Sequence, residues 1–314
     1  MEKNNKNNLS NIIKPFFDLS FFFLIVTIIL FGLLILTTSS IELSYKNYGE
    51  PFHYSFQQIG YLIFSVFACS FFLFLCSENL KKNYKVFLLF FLFLLVLVVI
   101  PDIGKTVNNS TRWLSYGGLN IQPSEFFKLF YVIWLCAYLD YNKKNIHRFE
   151  IFIIPILCFF ISAILLLKQP DFGSTAVIFL MTFVMMFIAR AKIFHLMTLF
   201  FSGAIGASIL IYLSPERLSR FNLIEPCSDY LGDGYHLCWS LMAIGSGGIF
   251  GKGLGASTTK LSYLYGAHTD FIFAILAEEL GIFGVVFTII LFYLFIKKCF
   301  FVGDKALRVG LIFQ

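Results

Sequence analysis

The chain has 314 residues, of which 58% are hydrophobic and only 13% charged, with a mean hydropathy of +0.81 and a formal net charge of +6. Soluble domains carry about a quarter charged residues, so this composition excludes an ordinary soluble domain. Its basic residues sit in short segments between long apolar runs, which makes them a topology signal and not a nucleic-acid footprint.

Residues 1–15 are polar and rich in Asn and Lys, and read as a mobile tail; residues 16–314 read as one membrane domain, without a dividing linker or a repeat period. Several apolar runs approach the ~20 residues that cross a bilayer as a helix. The first, 19–38, is too long for a signal-peptide core and lacks a clear small-residue cleavage site, so it is expected to stay as a span. A loop with Glu42, Lys46 and Glu50 follows it. Further spans are predicted near 58–76, 86–100, 122–140, 151–167, 174–189, 194–213 and 270–296. Pro101 ends the third. The fourth opens on Gln122-Pro123-Ser124-Glu125, a proline and an acid where a first helical turn accepts both. Lys168-Gln169-Pro170-Asp171-Phe172-Gly173 reads as a tight reversal, and the longest loop runs from Ser214 to about Thr269. The fold class is therefore all-α: a polytopic transmembrane helical bundle of about eight spans.

With the N-terminus inside, fifteen Lys and Arg fall on inner segments and eight on outer ones, with Lys128 inside span four. That asymmetry places the long loops outside. Seven cysteines show no CxxC spacing, which argues against a zinc or redox site. Cys227 and Cys238 share the longest loop and could pair in an oxidising compartment; two unpaired thiols is the preferred reading.

The polar chemistry concentrates between Gly234 and Gly284. His268-Thr269-Asp270 leads into an apolar helix that carries Glu278 and Glu279. Ionisable groups at a membrane helix have a partner or a task. Two readings of Asp270 and Glu278 stay open. One is a capped helix start beside a small-residue packing stripe of Ala274, Ala277 and Gly281. The other is a carboxylate at a cavity rim, poised as a general base. For Glu279 a buried ion pair is the better reading. Glu125 and Lys128, at i and i+3, are expected to neutralise each other, the alternative being a Lys128 that binds an anion. Lys105, Arg112, Arg217, Arg220, Lys252 and Lys260 are outer cations that would suit a phosphate-bearing ligand if they converge, and scattered solvated charges otherwise. Trp113, beside Arg112, reads either as a stacking platform for a sugar or as an interface anchor, the anchor being the commoner use. Gly245-Ser246-Gly247-Gly248-Ile249-Phe250-Gly251-Lys252-Gly253 fails the Walker A pattern, and its glycines are expected to serve tight turns or close backbone approach to a ligand.

These residues, in this order, resemble the SEDS family (shape, elongation, division, sporulation) of peptidoglycan glycosyltransferases. The resemblance rests on Val107-Asn108-Asn109-Ser110-Thr111-Arg112-Trp113, Gln122-Pro123-Ser124-Glu125 with Lys128, and Gln169-Pro170-Asp171-Phe172-Gly173. It continues through Gly234-Tyr235, the glycine loop from Ile244 to Gly255, and Ala267-His268-Thr269-Asp270-Phe271 to Glu278-Glu279-Leu280-Gly281. Lys260-Leu261-Ser262-Tyr263-Leu264 looks more like the division branch than the elongation branch. The resemblance implies polymerisation of lipid II, the undecaprenyl-pyrophosphate-linked disaccharide pentapeptide, into β-1,4 glycan with release of undecaprenyl pyrophosphate. It puts the catalytic carboxylate on Asp270. It makes Arg112, Lys128, Arg217 and Arg220 candidates to hold pyrophosphate, with a divalent cation (Mg or Mn) as an open addition, and Glu125 and His268 further substrate-binding candidates. Implied partners are a class B penicillin-binding transpeptidase and other divisome membrane proteins. The implied location is the bacterial inner membrane at the septum, N-terminus cytoplasmic and active face outward. A lipid II flippase and a non-catalytic scaffold are the rival readings; transport would favour acids at mid-membrane, and here they cluster toward the outer ends of spans four and eight. Trp239 stands where the family often has Gln, and Tyr265-Gly266 where it has Pro-Glu. The family has about ten spans, so this chain is expected to be C-terminally truncated.

Overall fold

The computed structural model describes residues 18–74, 81–101, 104–107, 110–116, 119–214, 226–228, 232, 234–261, 264 and 266–308. In chain order the elements are α1 (Leu19–Tyr48), α2 (His53–Phe74), α3 (Tyr84–Val99), β1 (Gly104–Val107), β2 (Ser110–Tyr116), β3 (Leu119–Ile121), α4 (Pro123–Tyr141), α5 (Phe149–Lys168), α6 (Phe172–Ile188), α7 (Ile193–Tyr212), α8 (Tyr235–Gly247) and α9 (Ile272–Arg308). Each predicted span has its helix. Among the described residues α1, α5, α7 and α9 are long and apolar enough to cross a membrane, and α3 and α6 are apolar but shorter. The chain is a multi-pass membrane protein. The described residues form two compact units, one from those of 18–71 together with those of 214–308, the other from those of 72–213.

In the unit built from both ends of the sequence, Asp18 caps α1 by accepting from the Ser20 N–H at 3.0 Å, and Gly49 closes it in a left-handed conformation (φ 74°). Its 30 residues span about 45 Å, more than the ~30 Å of a hydrocarbon core. The stretch read as a loop carrying Glu42 and Lys46 is thus the last turns of this helix. Ser44 stitches the corner into α2, donating to the Glu50 carbonyl at 2.7 Å and accepting from the His53 N–H at 3.0 Å. α9 returns antiparallel along α1, with ring contacts between Phe21 and Phe295 (5.7 Å) and Phe31 and Phe287 (5.2 Å) and an ion pair from Lys298 to Asp18 at 2.8 Å.

α9 is broken at Gly281, whose φ of 63° and ψ of −160° are open only to glycine. The glycine loop after α8 wraps this break. Lys252 N–H donates to the Glu278 carbonyl and Gly253 N–H to that of Glu279, both at 2.9 Å, and Ile282 N–H donates to the Gly248 carbonyl at 3.0 Å. Backbone groups freed by the break are therefore satisfied inside the protein, as an apolar surrounding demands. A β-carbon on Gly247 would lie 2.0 Å from the Ala277 oxygen, and one on Gly251 2.2 Å from that of Glu279. The glycines do serve close approach, but to α9 rather than to a ligand. Ala274, Ala277 and Gly281 are buried, and α8 packs on α9, as the small-residue stripe requires.

α8 itself lies in the segment read as one long loop. Its Cys238 is joined to Cys227 by a disulfide with the α-carbons 5.0 Å apart, which overturns the preference for unpaired thiols. Bonds of this kind form and persist mainly in oxidising compartments. Alkylation of the denatured, unreduced chain is expected to leave two of its seven cysteines unlabelled until a reductant is added; full labelling at the outset would exclude the bond.

The second unit is centred on α4, whose Phe127, Tyr131 and Leu135 are fully buried. Tyr131 and Thr182 share a hydrogen bond of 2.7 Å between α4 and α6. The stretch between α3 and α4, read as a loop, folds into an antiparallel sheet in the order β1-β2-β3, with Lys105 opposite Trp113 and Ser115 opposite Asn120.

Candidate functional site

Glu278 and Glu279 are both fully buried at the start of α9. Each holds one stretch of the segment that leads to Asp270. The Glu278 carboxylate accepts from Lys252 Nζ at 2.6 Å, Ser257 Oγ at 2.5 Å, and the Thr258 N–H and hydroxyl at 3.1 Å, and also from the Thr259 hydroxyl. Glu279 accepts from Lys260 Nζ at 2.8 Å, which confirms the buried ion pair read from the sequence. The same ammonium donates to the Gly255 carbonyl at 2.8 Å and to the Thr38 carbonyl of α1 at 2.9 Å. Lys260 is thus committed inside the protein and Lys252, though exposed, is engaged by Glu278, so neither is the free, solvated or phosphate-binding cation that the sequence reading allowed. Glu278, read as a rim carboxylate, serves as a buried anchor.

The braced segment ends in a turn. Gly266 (φ 73°) turns its carbonyl to accept from the N–H groups of Thr269 at 3.0 Å and Phe271 at 3.1 Å. Leu264 and Ala267 pack inward with Ala243, Ala274 and Ile275, flanked by Trp239 and Phe271. With those neighbours buried, the Asp270 side chain is left exposed two residues ahead of α9, and it makes no ion pair among the described residues. Asp270 and Glu278 therefore do not share one helix as their spacing implied.

Beside this turn is a cleft of about 590 Å³. Glu42 and Lys46 line it from α1, Tyr54 from α2, Tyr235 from α8, and Lys260 and His268 from the braced segment. The His268 ring leans on Tyr54 at 5.2 Å. Burial pushes the His268 imidazole below its ordinary value near 6.5, and the Asp270 carboxylate opposes that shift. A neutral imidazole has one donor and one acceptor nitrogen, the form suited to contacting hydroxyl or amide groups. Glu42 is without a hydrogen bond or ion pair among the described residues, and its Oε2 is buried. The sequence reading did not place Glu42, Lys46, Tyr54 or Tyr235 at a site. For Glu42 and Lys46 the signal was the serine spacing Ser39, Ser40, Ser44, which continues α1 past residue 38 with one polar face.

The other candidates lie in the second unit or outside the described residues. Arg112, on β2, donates from Nε to the Gln169 carbonyl at 3.2 Å and from its terminal nitrogen to the Pro170 carbonyl. It clamps the reversal whose Asp171 caps α6 through the Ser174 N–H at 3.1 Å. Lys128 pairs with Glu125 at 2.9 Å, the mutual neutralisation expected of that spacing. Lys105 is exposed and reaches Asn120 at 3.4 Å. Arg217 and Arg220 lie outside the described residues. No group of three or more His, Cys, Asp or Glu side chains that could hold a metal forms among the described residues.

Fold and site together define a polytopic membrane protein that displays an exposed carboxylate beside a polar cleft at one end of a helical unit. Its lineage is equally definite: the chain belongs to the FtsW/RodA/SpoVE cell cycle protein family, whose model matches residues 18–310. A probable peptidoglycan glycosyltransferase FtsW from Thioalkalivibrio sulfidiphilus is 36% identical over 94% of this chain and 74% of its own length. The protein of that name from Haemophilus influenzae is 37% identical over 93% and 74%, and the one from Pseudoalteromonas atlantica 36% identical over 95% and 61%. The chain thus spans about three fifths to three quarters of these relatives. The crystal structure of the Thermus thermophilus rod shape determining protein RodA matches with a TM-score of 0.65 at 24% identity, covering 94% of this chain and 78% of that one. A chain from a structure titled for the coordination of polymerization and crosslinking by a peptidoglycan synthase complex matches with a TM-score of 0.73 at 23% identity, over 94% and 81%. These two likenesses support the fold.

Proposed function

We propose that this chain is a peptidoglycan glycosyltransferase of the division type, which polymerises lipid II on the outer face of the cytoplasmic membrane. The observation that carries the reading is Asp270: an exposed carboxylate on a turn braced from behind by one buried ion pair and one partly exposed one, next to a cleft of ligand size. A general base needs an ionisable group within reach of substrate and held in place. In this reading the acceptor sugar's 4-hydroxyl gives its proton to Asp270 as its oxygen bonds to the anomeric carbon of the growing chain. The bond from that carbon to undecaprenyl pyrophosphate breaks, and the configuration inverts. The disulfide and the inner excess of basic residues support an outward-facing site.

With Arg112 and Lys128 engaged by carbonyls and by Glu125, Arg217 and Arg220 become the preferred holders of the diphosphate. Mg or Mn enters this proposal only as an ion carried in on the diphosphate itself. A class B penicillin-binding transpeptidase that cross-links the product is the proposed partner, and the septum the proposed location.

The test is polymerisation of labelled lipid II by the purified protein with such a transpeptidase, wild type beside Asp270→Asn, resolved by gel. Glycan ladders are expected from wild type, with a loss of at least 100-fold in the variant, as removal of a catalytic base predicts. Equal ladders from both would remove Asp270 from the role of base. Label crossing a vesicle bilayer without any new polymer would replace the polymerase reading with transport.

A further inference from the structure

We infer that the cleft between α1, α2, α8 and the braced segment takes the uncharged saccharide part of the acceptor, with Glu42 and Lys46 as its hydrogen-bonding pair, and that the diphosphate is held elsewhere. This rests on the reading of Asp270 as the base. Glu42 and Lys46 stand one helical turn apart on α1 and line the same cleft, yet do not pair with each other among the described residues. Residues at that spacing are near enough to do so. Glu42 Oε2 is buried with no donor facing it. A buried carboxylate oxygen without a donor is costly, and a ligand hydroxyl or amide N–H in the cleft would satisfy it.

The charge balance selects the ligand. Lys260 is neutralised by Glu279 at 2.8 Å, and burial holds His268 toward its neutral form. That leaves one carboxylate and one ammonium, a net charge of zero, along the wall. A diphosphate requires several converging cations, which this wall lacks. A pyranose with an N-acetyl group requires what it has: an acceptor for a hydroxyl or amide, a donor for a carbonyl, and ring faces at Tyr54, Tyr235 and His268 for its C–H faces. Tyr54 is itself fixed, since its hydroxyl accepts from Asn47 at 3.3 Å. The volume of about 590 Å³ falls within the range of small-ligand sites. Thr269 lines the cleft and Asp270 follows it directly, so a sugar seated there has its rim beside the base.

The probes are di-N-acetylchitobiose, neutral and free of phosphate, and inorganic pyrophosphate. Binding of each is measured by saturation-transfer NMR on the full chain in lipid nanodiscs. Glu42→Gln keeps the side chain's shape, and we expect it to weaken chitobiose binding about tenfold, the loss of one charge-assisted hydrogen bond. Lys46→Met should weaken it severalfold, and Glu42→Asp should recover part of the loss. Pyrophosphate affinity should stay within twofold in all three, which also reports that the variants are folded. Chitobiose binding that is absent in wild type or indifferent to Glu42 would overturn the inference, as would a loss of pyrophosphate affinity in its place. The lipid II ladder keeps the two proposals apart. A ladder with chitobiose binding indifferent to Glu42 sinks only this inference. Glu42-dependent chitobiose binding without a ladder supports it and counts against the polymerase reading.

Discussion

Lys260→Met is expected to destabilise the protein by about 3–5 kcal/mol, the range for removing one partner of a buried ion pair. Lys260 is 6% exposed and Glu279 0%, so the glutamate would be stranded with neither carboxylate oxygen partnered. The Gly255 carbonyl would lose its side-chain donor in the same step, and the Thr38 carbonyl the donor it has beyond its own helix. Replacing both charges, Lys260→Met with Glu279→Leu, is expected to recover much of the loss, because the penalty lies in the unpaired charge more than in the missing attraction. The measurement is thermal inactivation in nanodiscs for the two single variants and the double. A Lys260→Met protein as heat-resistant as wild type would show that the pair does not hold the segment in place. Polymerisation should fall further than stability alone accounts for, since the same ammonium ties the approach to Asp270 onto α1.

Gly251→Ala and Gly281→Ala are expected to be as damaging, by a different route. Gly251 has φ 78°, and its added methyl would meet the Glu279 carbonyl oxygen at 2.2 Å; at Gly281 the methyl would meet the Gly251 nitrogen at 2.4 Å. Both obstacles are backbone and cannot swing aside as a side-chain tip would. Strain of about 1–3 kcal/mol for the disfavoured φ is thus added to about 1–3 kcal/mol of overpacking. Gly60→Ala is the control: it lies in α2 with open space around it, and should be neutral or slightly stabilising. Equal thermal resistance in all three variants would refute the account of the α9 break. If Gly281→Ala alone were tolerated, α9 would be able to straighten, and the wrapped loop would not depend on the break.

The eight spans were legible because apolar runs of bilayer length admit few other structures. Two elements were not. α8 has only 13 residues and sits among glycines and polar residues, so no long apolar run announced it. The sheet beside α3 was hidden by short strands, although the Gly-Gly dipeptide at 117–118 is, as sequence, a hairpin signal. At the candidate site, Asp270 and the Glu279 ion pair could be read from the sequence because charge beside a membrane helix calls for an explanation. The partner of Glu279 could not be named. Lys260 is 19 residues away and its tether at Thr38 is 222 from it, separations that carry no periodicity. Glu42 was overlooked for a related reason: a helix that outruns the bilayer looks, in hydropathy, like a span followed by a loop.

The pairing of α1 with α9 also sets an order of events during synthesis. Residues near Asp18 and Lys298 must meet across 280 positions of sequence, and Thr38 meets Lys260 across 222. At about 5–20 residues per second, α1 waits roughly 10–45 s in the bilayer before Lys260 is translated. For that interval its serine-lined last turns and Glu42 lack the segment that later packs beside them. A ribosome stalled just before Lys260 should leave this end of α1 open to water-soluble probes, and a stall well beyond Lys298 should close it.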